Sequence, residues 1–106
     1  MDRDSLLFLQ VAAPIIGEPP LLTATTRFKA TLGITVEVCV LLFNMIVPSF
    51  PKVSHRNLVM GINFLKNYPN EALGASLFSI SEKTYREICR SVVKMISSLK
   101  NQVVSK

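Results

Sequence analysis

Four cations between Lys83 and Lys94 carry most of the chemistry that this chain can offer. Lys83, Arg86, Arg90 and Lys94 are spaced three, four and four residues apart. At about 100° per residue they gather on one side of a helix. Tyr85, Ile88, Cys89, Val92, Met95, Ile96 and Leu99 fall on the opposite side. An apolar stripe that docks, backed by a basic stripe that does not, suits a helix presented to a polyanion. A basic protein also places cations on faces that are merely solvated, and Glu87 sits beside this stripe.

The remaining reactive residues do not assemble into a site. His55 is the only histidine, and Cys39 and Cys89 stand apart with no ligand pair at helical or Cys-x-x-Cys spacing. No metal site and no cofactor is therefore expected. A lone histidine at a helix start reads as a cap or surface residue. The two cysteines lie in apolar surroundings and read as buried free thiols of a reducing compartment, not as a staple or a nucleophile. Gly33, Gly61 and Gly74 are isolated, so there is no glycine-rich phosphate loop. Asp2 and Asp4 lie at the N-terminus, and every later acid is a glutamate at a helix start or face. No carboxylate cluster is expected to hold catalytic metal ions, and the chain is not expected to be an enzyme.

The cationic stripe needs a helix positioned by its neighbours. Asn70 is a good N-cap, and Glu71-Ala72-Leu73 makes a helical first turn with its acid at the positive end. Ser79-Ile80-Ser81 breaks that helix, and a longer one opens at Ser81 with Glu82 in its first turn; Ser79 with Glu82 also fits a capping box. Short helix, tight turn and amphipathic second helix are the helix-turn-helix order, whose second helix enters the DNA major groove by its N-terminal turns. Ala75 would allow close helix contact, and Phe78, Ile80 and Ile88 would fill the wedge. Glu82, Lys83, Thr84 and Arg86 would then face base edges or the nearest phosphates, and backbone N–H groups after Ser81 offer a phosphate seat. Arg90 and Lys94, further along, would hold flanking phosphate.

These residues carry a family resemblance. KTYREICRSVVKMI following a short ALGASLF helix resembles the helix-turn-helix region that precedes the DDE nuclease in Harbinger-type transposases and their domesticated derivatives. Upstream, TRFKATLGITVEVCVLLFNMIVP is similar to the segment before that motif. The resemblance covers residues 27 to 104 as a pattern of apolar positions. It implies double-stranded DNA as partner, residence in the nucleus of a eukaryote or otherwise in the cytoplasm, and a nuclease domain following about where the chain stops. The chain is then expected to be a fragment, truncated product or isolated N-terminal domain. The resemblance also leaves room for a protein partner, the nuclease domain itself or a second copy, since one such module binds weakly. One position departs from the pattern: many helix-turn-helix turns have glycine where this chain has Ser79, and a left-handed conformation there costs serine roughly 1 kcal/mol or more.

At 106 residues, 49% of them apolar, the chain is long enough for one modest core. Its net charge of +5 is uneven: Asp2, Asp4 and Glu18 against Arg3 leave residues 1 to 26 at −2, so the remainder carries +7. Leu6 to Ile16 is apolar, but its acidic flank is unlike a secretory leader. Val36 to Val47 is the most hydrophobic run; it falls short of the roughly 20 residues that span a bilayer and reads as a buried helix, so no membrane is expected.

Residues 1 to 26 are expected to be an irregular extension, because Pro14, Gly17, Pro19 and Pro20 interrupt helix and Thr23 to Thr26 favours an extended path. The domain proper is expected over residues 27 to 106. Thr35 caps a helix with Val36, Cys39, Val40, Phe43 and Ile46 or Val47 inward, ended by Pro48 and Pro51. Ser54 or His55 opens the next, with Leu58, Ile62 and Leu65 inward. Gly61 would cost that helix about 1 kcal/mol unless another helix passes close by. Tyr68-Pro69-Asn70 reads as a turn. The expectation is a small all-α domain with about four helices over residues 35 to 104.

Overall fold

The computed structural model describes residues 2–67 and 70–104, which leaves Tyr68 and Pro69 of the expected turn outside the described residues. The domain is all-α. Its helices are α1 (Arg3–Val11), α2 (Ala13–Ile16), α3 (Leu21–Leu32), α4 (Val36–Ile46), α5 (His55–Asn67), α6 (Glu71–Leu77) and α7 (Glu82–Val104). The four expected over residues 35 to 104 are α4 to α7.

Each of those four starts on the side chain that the sequence marks. Thr35 Oγ1 accepts from the Val38 N–H at 3.2 Å, Ser54 Oγ from Asn57 at 3.1 Å, Asn70 Oδ1 from Leu73 at 2.7 Å and Ser81 Oγ from Thr84 at 3.1 Å. Each cap satisfies an N–H that has no partner within its helix and contributes about 1 kcal/mol.

The first 26 residues correct the expectation of an irregular extension. Asp2 caps α1 by accepting from the Ser5 N–H at 2.8 Å. Pro14 sits in the first turn of α2, where a missing N–H costs nothing. Pro20 is the residue before α3. Thr25 and Thr26 do not extend the chain; their hydroxyls donate back to the Leu22 carbonyl at 2.9 and 3.1 Å. Burial of Ala24, Phe28 and Leu32, four residues apart, outweighs the extended preference of the threonines. The boundary expected at residue 26 therefore falls inside a helix, and Phe8, Ile16 and Phe28 share one apolar core with Tyr85 and Val92.

That core is built around α5. Leu58, Val59, Met60, Gly61, Ile62 and Asn63 are all buried, so this helix is covered on every side at its middle. Leu65, expected inward, is instead exposed. α1, α3 and α7 all pack on α5. α7 crosses at Gly61, where an added Cβ would lie 2.3 Å from Val92 Cγ1. The glycine is there because α7 passes through the space a side chain would fill. Buried Asn63 accepts from Asn67 Nδ2 at 2.6 Å, and the same group donates to the Thr31 carbonyl at 2.9 Å.

His55 is neither cap nor free surface residue. Its Nε2 lies 3.0 Å from Asp4 Oδ1, and its ring stacks on Phe43 at 4.2 Å and leans on Phe8 at 4.7 Å. It ties α1 and α4 to the start of α5. α4 is buried on one face only, through Val36, Cys39 and Ile46. This is the face expected from the sequence, with Val40, Phe43 and Val47 packed against the core beside it, while the other face carries exposed Val38, Leu41 and Met45. Among the described residues no single helix is long and apolar enough to cross a membrane.

Candidate nucleic-acid interface

α6 and α7 meet through a turn closed by two backbone hydrogen bonds. The Ile80 N–H reaches back to the Ala75 carbonyl at 3.0 Å and the Ser79 N–H to Ser76 at 3.2 Å. These are the paired bonds of a Schellman ending, which requires a left-handed residue between them. Ser79 is that residue, at φ 57°. The turn is held from below by Arg56 of α5, whose Nη2 donates to the Phe78 carbonyl and whose guanidinium lies 5.9 Å from the Phe78 ring centroid.

The two helices meet closely at Gly74. A Cβ at Gly74 would lie 2.2 Å from the Tyr85 ring. Ala75 and Phe78 are buried beside it, and Ile80 and Ile88 pack against the core as partly buried neighbours. Tyr85 is wholly buried, and its hydroxyl lies near the Cys89 thiol without a well-formed hydrogen bond. Burial pushes the ionisation of both groups upward, so both stay neutral at physiological pH. Cys39 is likewise buried and pushed up to about 12, and both cysteines are free thiols. Among the described residues no three His, Cys, Asp or Glu side chains group as metal ligands.

The apolar stripe of α7 docks as its spacing dictates: Tyr85, Cys89, Val92 and Leu99 are buried, with Ile88, Met95 and Ile96 against them. The docked stripe turns Lys83, Arg90 and Lys94 to solvent on one face, with Glu87 among them. At the N-terminal end Ser81, Glu82 and Thr84 are exposed as well. The Ser81 hydroxyl is engaged with its own turn, accepting from the Thr84 N–H and donating to Thr84 Oγ1 at 2.9 Å.

Arg86 departs from the expected set. It is half-buried and grips Glu71 of α6 in a two-pronged ion pair: Nε lies 3.0 Å from both carboxylate oxygens and Nη2 2.6 Å from Oε2. Its guanidinium holds the Glu71 carboxyl below the usual carboxylate range, and Arg90 adds to that field. Arg86 thus straps the start of α6 to α7 and is not directed wholly at a ligand. Beside the strap, where α6 and α7 diverge, a cleft of about 140 Å³ is lined by Phe64, Glu71, Tyr85, Arg86, Cys89 and Arg90. Sequence reasoning missed the strap and the Arg56 brace. Glu71 and Arg86 stand fifteen residues apart, and only the angle between the helices brings them together.

Compared with known protein families, curated proteins and solved structures, the chain matches none.

Proposed function

We propose that the chain is a double-stranded DNA-binding helix-turn-helix module of the kind found ahead of the nuclease in Harbinger-type transposases. One observation carries the reading: α7 follows a Schellman turn and docks by its apolar stripe, leaving Lys83, Arg90 and Lys94 on its solvent face. Lys83 and Thr84, with Ser81 and Glu82 beside them, sit at the end that approaches base edges and the nearest phosphates, while Arg90 and Lys94 hold flanking phosphate. The module performs no chemistry of its own in this reading, and its place is the nucleus of a eukaryote or the cytoplasm of a prokaryote.

Three exposed cations set the scale of binding. Log K should fall with log salt at a slope of about −2.7, so that affinity drops roughly 40-fold between 50 and 200 mM salt. Fluorescence anisotropy with a labelled duplex of arbitrary sequence measures this directly. Absent or salt-independent binding removes the reading. The exposed row of Val38, Leu41 and Met45 on α4 favours a second one, a helical protein-interaction domain that docks a partner or a second copy.

A further inference from the structure

Resting on the DNA-binding reading above, we propose that Glu71 is an internal stand-in for a DNA phosphate, occupying Arg86 until a phosphodiester of the duplex backbone takes its place. The fork that Arg86 offers to Glu71 through Nε and Nη2 is the geometry with which a guanidinium also holds a phosphate. The pair is open to exchange, because the two side chains remain 41% and 42% exposed. Ion pairs that accessible are held weakly and screened by salt.

The surroundings favour an anion at this point. Glu71 is gripped by Arg86 and shares one cleft with Arg90, whose charge also favours its ionised form. The adjoining cleft of about 140 Å³ is lined by both arginines, and it is several times the roughly 30 Å³ that one water takes up in the liquid. A phosphate arriving there meets Arg90 directly and competes with the carboxylate for the Arg86 fork. Glu71 thereby lowers the affinity of the resting module by one cation, and the loss is recovered only on a ligand that presents a phosphate at that spot.

The test uses the full chain and Glu71→Gln, Arg86→Gln and the double variant, titrated with a labelled duplex of arbitrary sequence from 50 to 200 mM salt. Glu71→Gln should tighten binding at every salt by up to about fivefold, the worth of an exposed ion pair, with little change in the slope of log K against log salt, because the phosphate contact to Arg86 forms in both chains and only its competitor is removed. In the Arg86→Gln background the same change should leave the affinity nearly unaltered, since the group it frees is gone. An equal tightening in both backgrounds overturns the proposal, for Glu71 would then act only as bulk charge. Weaker binding by Glu71→Gln with an unchanged melting curve also overturns it, because the carboxylate would be a strut that α7 needs. In the unaltered chain the Arg86 Nε–H resonance should shift on addition of duplex. A resonance that stays put at saturation refutes the exchange without any substitution. A parent chain that binds no duplex overturns the DNA-binding reading itself, whereas a parent that binds without this coupling overturns the Glu71 proposal alone.

Discussion

Ser79 holds a backbone conformation that glycine would adopt without strain. Its φ of 57° is demanded by the two bonds that close α6. The left-handed region costs a residue with a Cβ about 1–2 kcal/mol. Glycine removes that strain and returns about 0.4–1 kcal/mol as extra freedom of the unfolded chain. Ser79→Gly should therefore raise the unfolding free energy by about 0.5–1 kcal/mol in urea titration. The acids give a second expectation at this scale. Glu71 is held low by Arg86, and Asp2 by the Ser5 N–H that it caps. Both carboxyls ionise more readily in the folded chain than in the unfolded one, so their stabilisation is complete above the unfolded values and lost as pH falls through the folded ones. The urea midpoint should hardly change from neutrality to the ordinary glutamate value of 4.5 and decline below it. Glu71→Gln should flatten part of that decline. A midpoint that rises on acidification would show that other groups govern the pH response.

Among the helices, what could be read in advance followed from how locally each was determined. The starts of α4, α5, α6 and α7 were legible because a cap is a side chain within three residues of the N–H it satisfies. The buried stripe of α7 was legible because only one side of that helix packs. α5 was legible in part: Leu58 and Ile62 are buried as expected, but Leu65 is exposed and Val59 and Asn63 are buried as well, because the middle of this helix is covered on every side. α1 to α3 were hidden by prolines and threonines whose local preference gave way to burial of Phe8, Ile16 and Phe28. The crossing of α5 and α7 at Gly61 gives the element-scale prediction. Gly61→Ala gains about 1 kcal/mol of helix propensity. Its Cβ, however, would lie 2.3 Å from Val92, and forcing the helices apart costs about 1–3 kcal/mol or more. The net should be destabilising, by about 1–2 kcal/mol in thermal or urea unfolding. In a Val92→Gly background the same substitution should cost clearly less, because the Val92 Cβ at 2.4 Å and both methyls are gone. Equal costs in both backgrounds would place the crossing elsewhere.

The whole molecule presents two unlike surfaces, and their chemistry separates the two functional readings. Between Lys29 and Lys52 the only charged residue is Glu37, and this interval contains α4 with its exposed Val38, Leu41 and Met45. The cations of α7 lie on another helix, on the face turned from the core. A polyanion is attracted to the second surface and finds nothing to pair with on the first, whereas a protein partner burying apolar area would use the first. Changing Lys83, Arg90 or Lys94 singly to Gln should reduce the salt slope of duplex binding by about one unit for each lost phosphate contact. Melting should hardly change, because surface substitutions away from caps and pairs usually stay within about 0.5 kcal/mol. Leu41→Glu changes a side chain that is 63% exposed, so it should leave both the fold and the duplex titration intact. On the DNA-binding reading the three cation variants weaken binding and Leu41→Glu does not. If the cation variants bind duplex as the parent does, while Leu41→Glu abolishes a concentration-dependent association seen by sedimentation, the basic face is only solvated. The apolar face of α4 would then be the working surface.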